Sequence, residues 1–158
     1  MFKGIIIEES LENRKILKQF TILLSRTVAV TDKHKTPWLT QWTLHTVAIN
    51  EEKIDEMAQI LSKSFDQNHP NWYIHFWNAK QIYPHTFSND FRSAAIGMNG
   101  NMNRFRKSDK TQEGVRIYVI FKDKVFIFDR HDEKTRESVV KYGVGLGIPK
   151  YQLDFPVS

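Results

Sequence analysis

The chain has 158 residues, of which 41% are hydrophobic, 13% aromatic and 26% charged, and its net charge at pH 7 is +5. This is the size and balance of one globular domain that can bury a core without covalent staples. There is no cysteine, which excludes disulfides, thiolate metal sites, iron–sulfur clusters and a cysteine nucleophile.

The opening run FKGIIIEE (2–9) is short, apolar and β-branched, and reads as a buried strand. It is too short for a signal peptide's apolar region and is followed by acids. No run elsewhere approaches the ~20 apolar residues of a membrane span. These features point to a cytoplasmic protein with no membrane partner. Ser10 can cap a following helix that carries Leu11, Lys15, Ile16 and Leu17. A second strand is expected over 20–30, a loop over 31–37 that Pro37 keeps out of any central ladder, and a third strand over 41–49.

Asn50 is placed to cap the strongest helix, 51–65, in which Ile54, Met57, Ala58, Leu61 and Phe65 form one apolar stripe behind an acidic first turn. Residues 66–71 break it, and WYIHFW (72–77) is the fourth strand. Strand, helix, strand, strand, helix, strand is the order of a split βαβ unit. The expected fold class is therefore α+β, with a ferredoxin-like antiparallel core and two helices on one face. A hairpin follows, 115–121 and 124–130 around Lys122 and Asp123, then a helix over 131–143 stopped by Gly143, then a C-terminal segment.

Residues 78–114 stand apart, being long for a connection within one domain. Ser88 or Asn89 could cap a short helix with Phe91, Ala94, Ala95 and Met98. From Lys80 to Arg116 there are seven bases against three acids, so four of the five net positive charges lie here. The segment from about 80 to 114 reads as a basic insertion in a single domain, part helical and part mobile.

The runs GIIIEESLEN, HKTPWLTQWTLHTV, NWYIHF, KVFIFDR and KYGVGLGIPKYQLDF together resemble a family of small uncharacterised prokaryotic proteins. The likeness covers the ends and the middle, and 84–113 has no counterpart in the shorter members. It implies one compact domain with something inserted, and it transfers no activity or catalytic residue.

Three functions are open to these residues. Strand alternation offers His45, Tyr73, His75, Trp77 and Tyr118 to a sheet face without helices, more rings than a solvated face needs. Such a face could line a small-molecule or partner site, or be closed by a second copy in a homodimer. On this reading the chain is a non-catalytic binding module. Alternatively, Arg92, Arg104, Phe105, Arg106, Lys107 and Lys110 interleave bases with a ring, a pattern suited to nucleic acid or to an acidic protein. Thirdly, His34 or His45 could act as a general base, oriented by Glu8, Glu9 or Asp129. The six histidines show no metal-ligand spacing, and neither a metal nor another cofactor is expected. Trp38 and Trp42, four apart at a loop–strand junction, read as plugs for the end of the sheet ahead of ligand stackers.

Overall fold

The computed structural model describes residues 1–78 and 115–155. Six strands form one sheet: β1 (Phe2–Ile7), β2 (Thr21–Ala29), β3 (Gln41–Ile49), β4 (Tyr73–Asn78), β5 (Arg116–Phe121) and β6 (Lys124–Asp129). Their spatial order is β2-β3-β1-β4-β5-β6, and every neighbouring pair is antiparallel. Helix α1 (Ile54–Ser62) links β3 to β4, and α2 (Glu133–Gly145) follows β6. The fold class is α+β. Among the described residues no helix is long and apolar enough to cross a membrane.

The two α-helices among the described residues lie on opposite faces of the sheet. Tyr118 reaches Asp55 of α1, whereas Phe121 packs against Tyr142 of α2. Residues three apart on a strand point to opposite sides. Strand β5 is thus clad on both faces, which is why Ile117 to Phe121 are all buried and why its sequence is apolar without alternation. On the α1 side, Ile54, Met57, Ala58 and Leu61 pack with Phe2, Ile6, Val47, Phe76 and Ile120. On the α2 side, Val139 packs with Ile117, Val119, Phe121 and Phe128, and the C-terminal Ile148, Leu153 and Phe155 close this second cluster.

The expected pair of helices on one face is not formed. Between β1 and β2 the chain makes two 3₁₀ turns, Glu8–Ser10 and Arg14–Gln19, in place of an α-helix. Leu11 is tied as a β-bridge to Phe65, and the Glu12 amide donates to the Ser64 carbonyl. Asn13 then accepts from the Lys15 amide and restarts the chain, so too few residues remain for a stable α-helix. Nor does Asn50 cap α1 with its side chain: Glu51–Lys53 is a 3₁₀ turn that leads into the helix. Asp132 caps α2 instead, its carboxylate accepting from the Thr135 amide at 3.0 Å. Gly143, expected to end α2, lies within it, buried against Leu153 and Phe121. The reversal comes at Gly147, whose φ of +89° suits glycine. The helix expected near 88–98 and the basic insertion lie outside the described residues.

Gly4 sits mid-strand on β1, opposite Val47 and Phe76. A Cβ there would stand 2.5 Å from Phe76 Cδ1 and 2.7 Å from the His75 carbonyl oxygen. The ring could shift, but the carbonyl belongs to the neighbouring strand and cannot. Gly4→Ala is expected to destabilise the fold by about 2 kcal/mol, read from the urea midpoint, despite alanine's smaller backbone entropy loss.

Candidate functional site

The five residues expected to share a face do not share one. In the observed register Ile6 lies opposite His45, and Phe76 opposite Tyr118, so His45 and Tyr118 belong to the α1 face. Ile5 lies opposite His75, which places His75, with Tyr73 and Trp77, on the α2 face. The Tyr118 hydroxyl donates to Asp55 at 2.6 Å, and burial together with this bond pushes it up to about 12. Tyr73 donates to the Gln152 carbonyl and packs edge-on to Phe155. His75 stacks between Tyr73 and Trp77, and its ring also meets Phe155. The C-terminal segment of this same chain therefore fills the space beside Tyr73 and His75. What remains is a cavity of about 20 Å³ lined by Ile5, Ile7, Asn71, Trp72, Tyr73, His75 and Gln152, enough for a water and far below the size of a metabolite.

Burial of His75 has a consequence for pH. Removal from water lowers its pKa from 6.5 to about 4. Between those two values the unfolded chain binds a proton that the folded chain refuses. Stability is therefore expected to fall as pH drops from 6.5 toward 4, by up to about 3 kcal/mol from this group. Urea unfolding of the native chain and of His75→Phe across this window should show the slope reduced in the variant. Parallel pH profiles would contradict the assignment.

The stretch HKTPWLTQWTLHTV builds the end of the sheet. The Thr31 amide donates to His34 Nδ1 at 2.8 Å, which folds the loop into a 3₁₀ turn. The His34 ring then stands edge-on to Trp42, with centroids 4.5 Å apart. Trp42 Nε1–H donates to Thr36 Oγ1 at 3.0 Å, and the indole packs against Trp72. Trp38 stays exposed and stacks on His69, which is held by Asp66. His34 thus joins the loop to the buried Trp42 at the end of the sheet.

His45, from the same stretch, has different surroundings. It projects from the middle of β3 opposite Ser25 of β2 and Ile6 of β1. Its Nδ1 lies 2.7 Å from Ser25 Oγ, and its Nε2 lies 2.8 Å from Glu8 Oε2. Glu8 follows β1 directly, in the turn that replaces the expected helix, and its other oxygen accepts from Arg14 at 2.9 Å. An ionised carboxylate can only accept, so neutral His45 must carry its proton on Nε2. Nδ1 is then left with a lone pair, and the Ser25 hydroxyl must donate to it. This is the posture of a serine polarised by a base that a third group orients. His45 itself is buried, whereas Ser25 is exposed on the sheet's edge strand. Beside it, Glu9 ties down β3 by accepting from the Thr43 amide and hydroxyl, both at 2.8 Å.

The chain matches no family model, no curated protein and no solved structure. Among the described residues no group of three His, Asp or Glu side chains is arranged to hold a metal ion. Asp129, the third acid expected as a possible partner of a histidine base, accepts from the His131 amide and caps the turn after β6. Arg92, Arg104, Phe105, Arg106, Lys107 and Lys110 lie outside the described residues. Ser25 was not singled out from the sequence. Its signal is a small hydroxyl directly after the aliphatic run Ile22–Leu24 in the strand ILLSRTVAV, which becomes meaningful only once the β2–β3 register is known.

Proposed function

We propose that this protein is an enzyme of the acyl-transfer class, with Ser25 as nucleophile, His45 as general base and Glu8 as the group that orients His45. The observation that carries the reading is the unbroken chain of hydrogen bonds from the exposed Ser25 hydroxyl through the buried His45 ring to Glu8. In the first step Ser25 Oγ bonds to the acyl carbon of an ester or amide and its proton passes to His45 Nδ1. The bond to the leaving group breaks, and that group takes the proton from His45. Water, deprotonated by the same nitrogen, then bonds to the acyl carbon, the bond to Ser25 Oγ breaks, and Ser25 takes the proton back from His45 as the free acid leaves. Burial of His45 and the second anchor of Glu8 on Arg14 keep the base in one orientation. A register irregularity between Ile22 and Leu24 lies just before the nucleophile. Such bulges free backbone amides from the ladder, and amides in that position suit a developing oxyanion. We further read β1 to β4 as a ferredoxin-like core, on the strength of their order, with β5 and β6 added at one edge.

The test is covalent labelling. A fluorophosphonate reagent should phosphonylate Ser25 of the folded protein, located by peptide mass, with no labelling of Ser25→Ala and at least about a hundredfold slower labelling of His45→Ala. A folded protein whose Ser25 stays unmodified at saturating reagent would leave the three groups as a structural polar seal at the sheet's edge.

A further inference from the structure

Resting on that reading, we propose that the substrate is an extended, apolar polypeptide that binds as an added strand on the outer edge of β2. Ser25 is central in a nine-residue strand at one end of the sheet. The outer backbone N–H and C=O groups of such a strand face no neighbouring strand among the described residues, and they form a template for another extended chain. Ile22, Leu23 and Leu24, immediately before the nucleophile, are 46%, 42% and 36% exposed. Three consecutive exposed aliphatics are unusual on a solvated strand and suit apolar side chains of a bound segment.

Position on the faces adds direction. Ile22 lies opposite Val47, Ser25 opposite His45 and Thr27 opposite Thr43, so Ile22, Ser25 and Thr27 share the α1 side of β2. A strand laid beside β2 would run its carbonyls along the hydroxyl, and a side chain next to the reacting bond would meet Ile22. At the other edge β6 leaves a single aliphatic, Ile127, 49% exposed, with no run of such residues beside it. Strand β6 has six residues and is bracketed by Lys122, Asp123, Lys124, Asp129 and Arg130, the charges that discourage edge pairing. Across the nine residues of β2 the one charged side chain is Arg26.

The experiment uses the whole chain and a short, blocked, soluble peptide alternating threonine and valine, with a second version methylated on every other backbone nitrogen. The peptide is expected to shift the amide resonances of Thr21 to Ala29, to slow fluorophosphonate labelling of Ser25, and to be cleaved at a rate that vanishes in Ser25→Ala. The methylated version should do none of these, because its edge cannot hydrogen bond. Ile22→Lys should weaken the peptide's effect on the β2 resonances by about tenfold or more. If Ser25 labels normally but the peptide neither shifts β2 nor slows labelling, the polypeptide substrate is wrong and the nucleophile stands. A protein whose Ser25 never labels loses the nucleophile and the substrate assignment together, even if the peptide binds. A stable dimer by sedimentation, with the β2 amides protected from exchange in the protein alone, would show that a second copy occupies the edge and would overturn the proposal.

Discussion

Replacing Trp42 by alanine is expected to lower stability by about 4 kcal/mol, enough to unfold a large fraction of a marginally stable domain near body temperature. The side chain is 1% exposed and fills the end of the sheet between His34 and Trp72. Its removal opens a cavity the rigid strand ends cannot collapse into, and it leaves the buried Thr36 hydroxyl without the indole N–H that it accepts from. The two losses have the same sign and separate cleanly. Trp42→Phe keeps most of the ring volume and gives up the hydrogen bond, so it should cost about 1–2 kcal/mol. Trp38→Ala, four residues away, removes a 41% exposed ring whose main contact is the face of His69, and should cost less than about 1.5 kcal/mol. Denaturant midpoints for the three variants check the order. Equal losses for Trp38 and Trp42 would mean that the end of the sheet is not packed as described.

The same stretch shows how far the residues alone could be read. Each of the six strands is visible as a run of β-branched and aromatic residues, and α1 as a stripe at helical spacing, because these patterns depend on burial along one element. The segment after Ser10 carries a comparable stripe and still makes only 3₁₀ turns. Its fate is decided by the bridge from Leu11 to Phe65, a contact across 54 positions that no local pattern contains.

Faces show the same limit more sharply. Alternation within β3 and β4 was legible, but the face shared between two strands depends on register, and one residue of slip exchanges all of them. Ile6 against His45 and Ile5 against His75 is that single residue, and it parts the two histidines that looked like neighbours. His75 goes to a dry place among rings that the C-terminal Phe155 helps to close. His45 goes to the end of β1, where Glu8 meets it. The acid was among those the sequence offered for a histidine base, and the missing member was Ser25. Three residues from three elements come together through two strand pairings and one turn, and the turn is the part that local propensity misjudged.

A large loss of activity with the fold kept intact is expected from Glu8→Gln. The carboxylate now serves two donors, His45 Nε2 on one oxygen and Arg14 on the other. Glutamine has one oxygen, and its amide nitrogen donates. When Arg14 takes the oxygen, the amide group turns to His45 and requires Nε2 as an acceptor, which moves the ring proton to Nδ1. Ser25 then faces an N–H where it had a lone pair, and its hydroxyl can only accept. The base is present, in place and in the wrong tautomer, a condition that lowers acyl transfer by about 10³–10⁴-fold. Folding should be little changed, since the variant keeps a hydrogen bond of similar length. Arg14→Ala provides the complementary measurement. It frees the glutamine oxygen to accept from Nε2, so the double variant Glu8→Gln/Arg14→Ala should label Ser25 faster than Glu8→Gln alone. Rate constants for Ser25 phosphonylation in the four proteins decide the matter. If the second substitution gives no recovery, Glu8 acts by its charge and not by fixing the tautomer. If Glu8→Gln labels at the native rate, Glu8 has no part in the site.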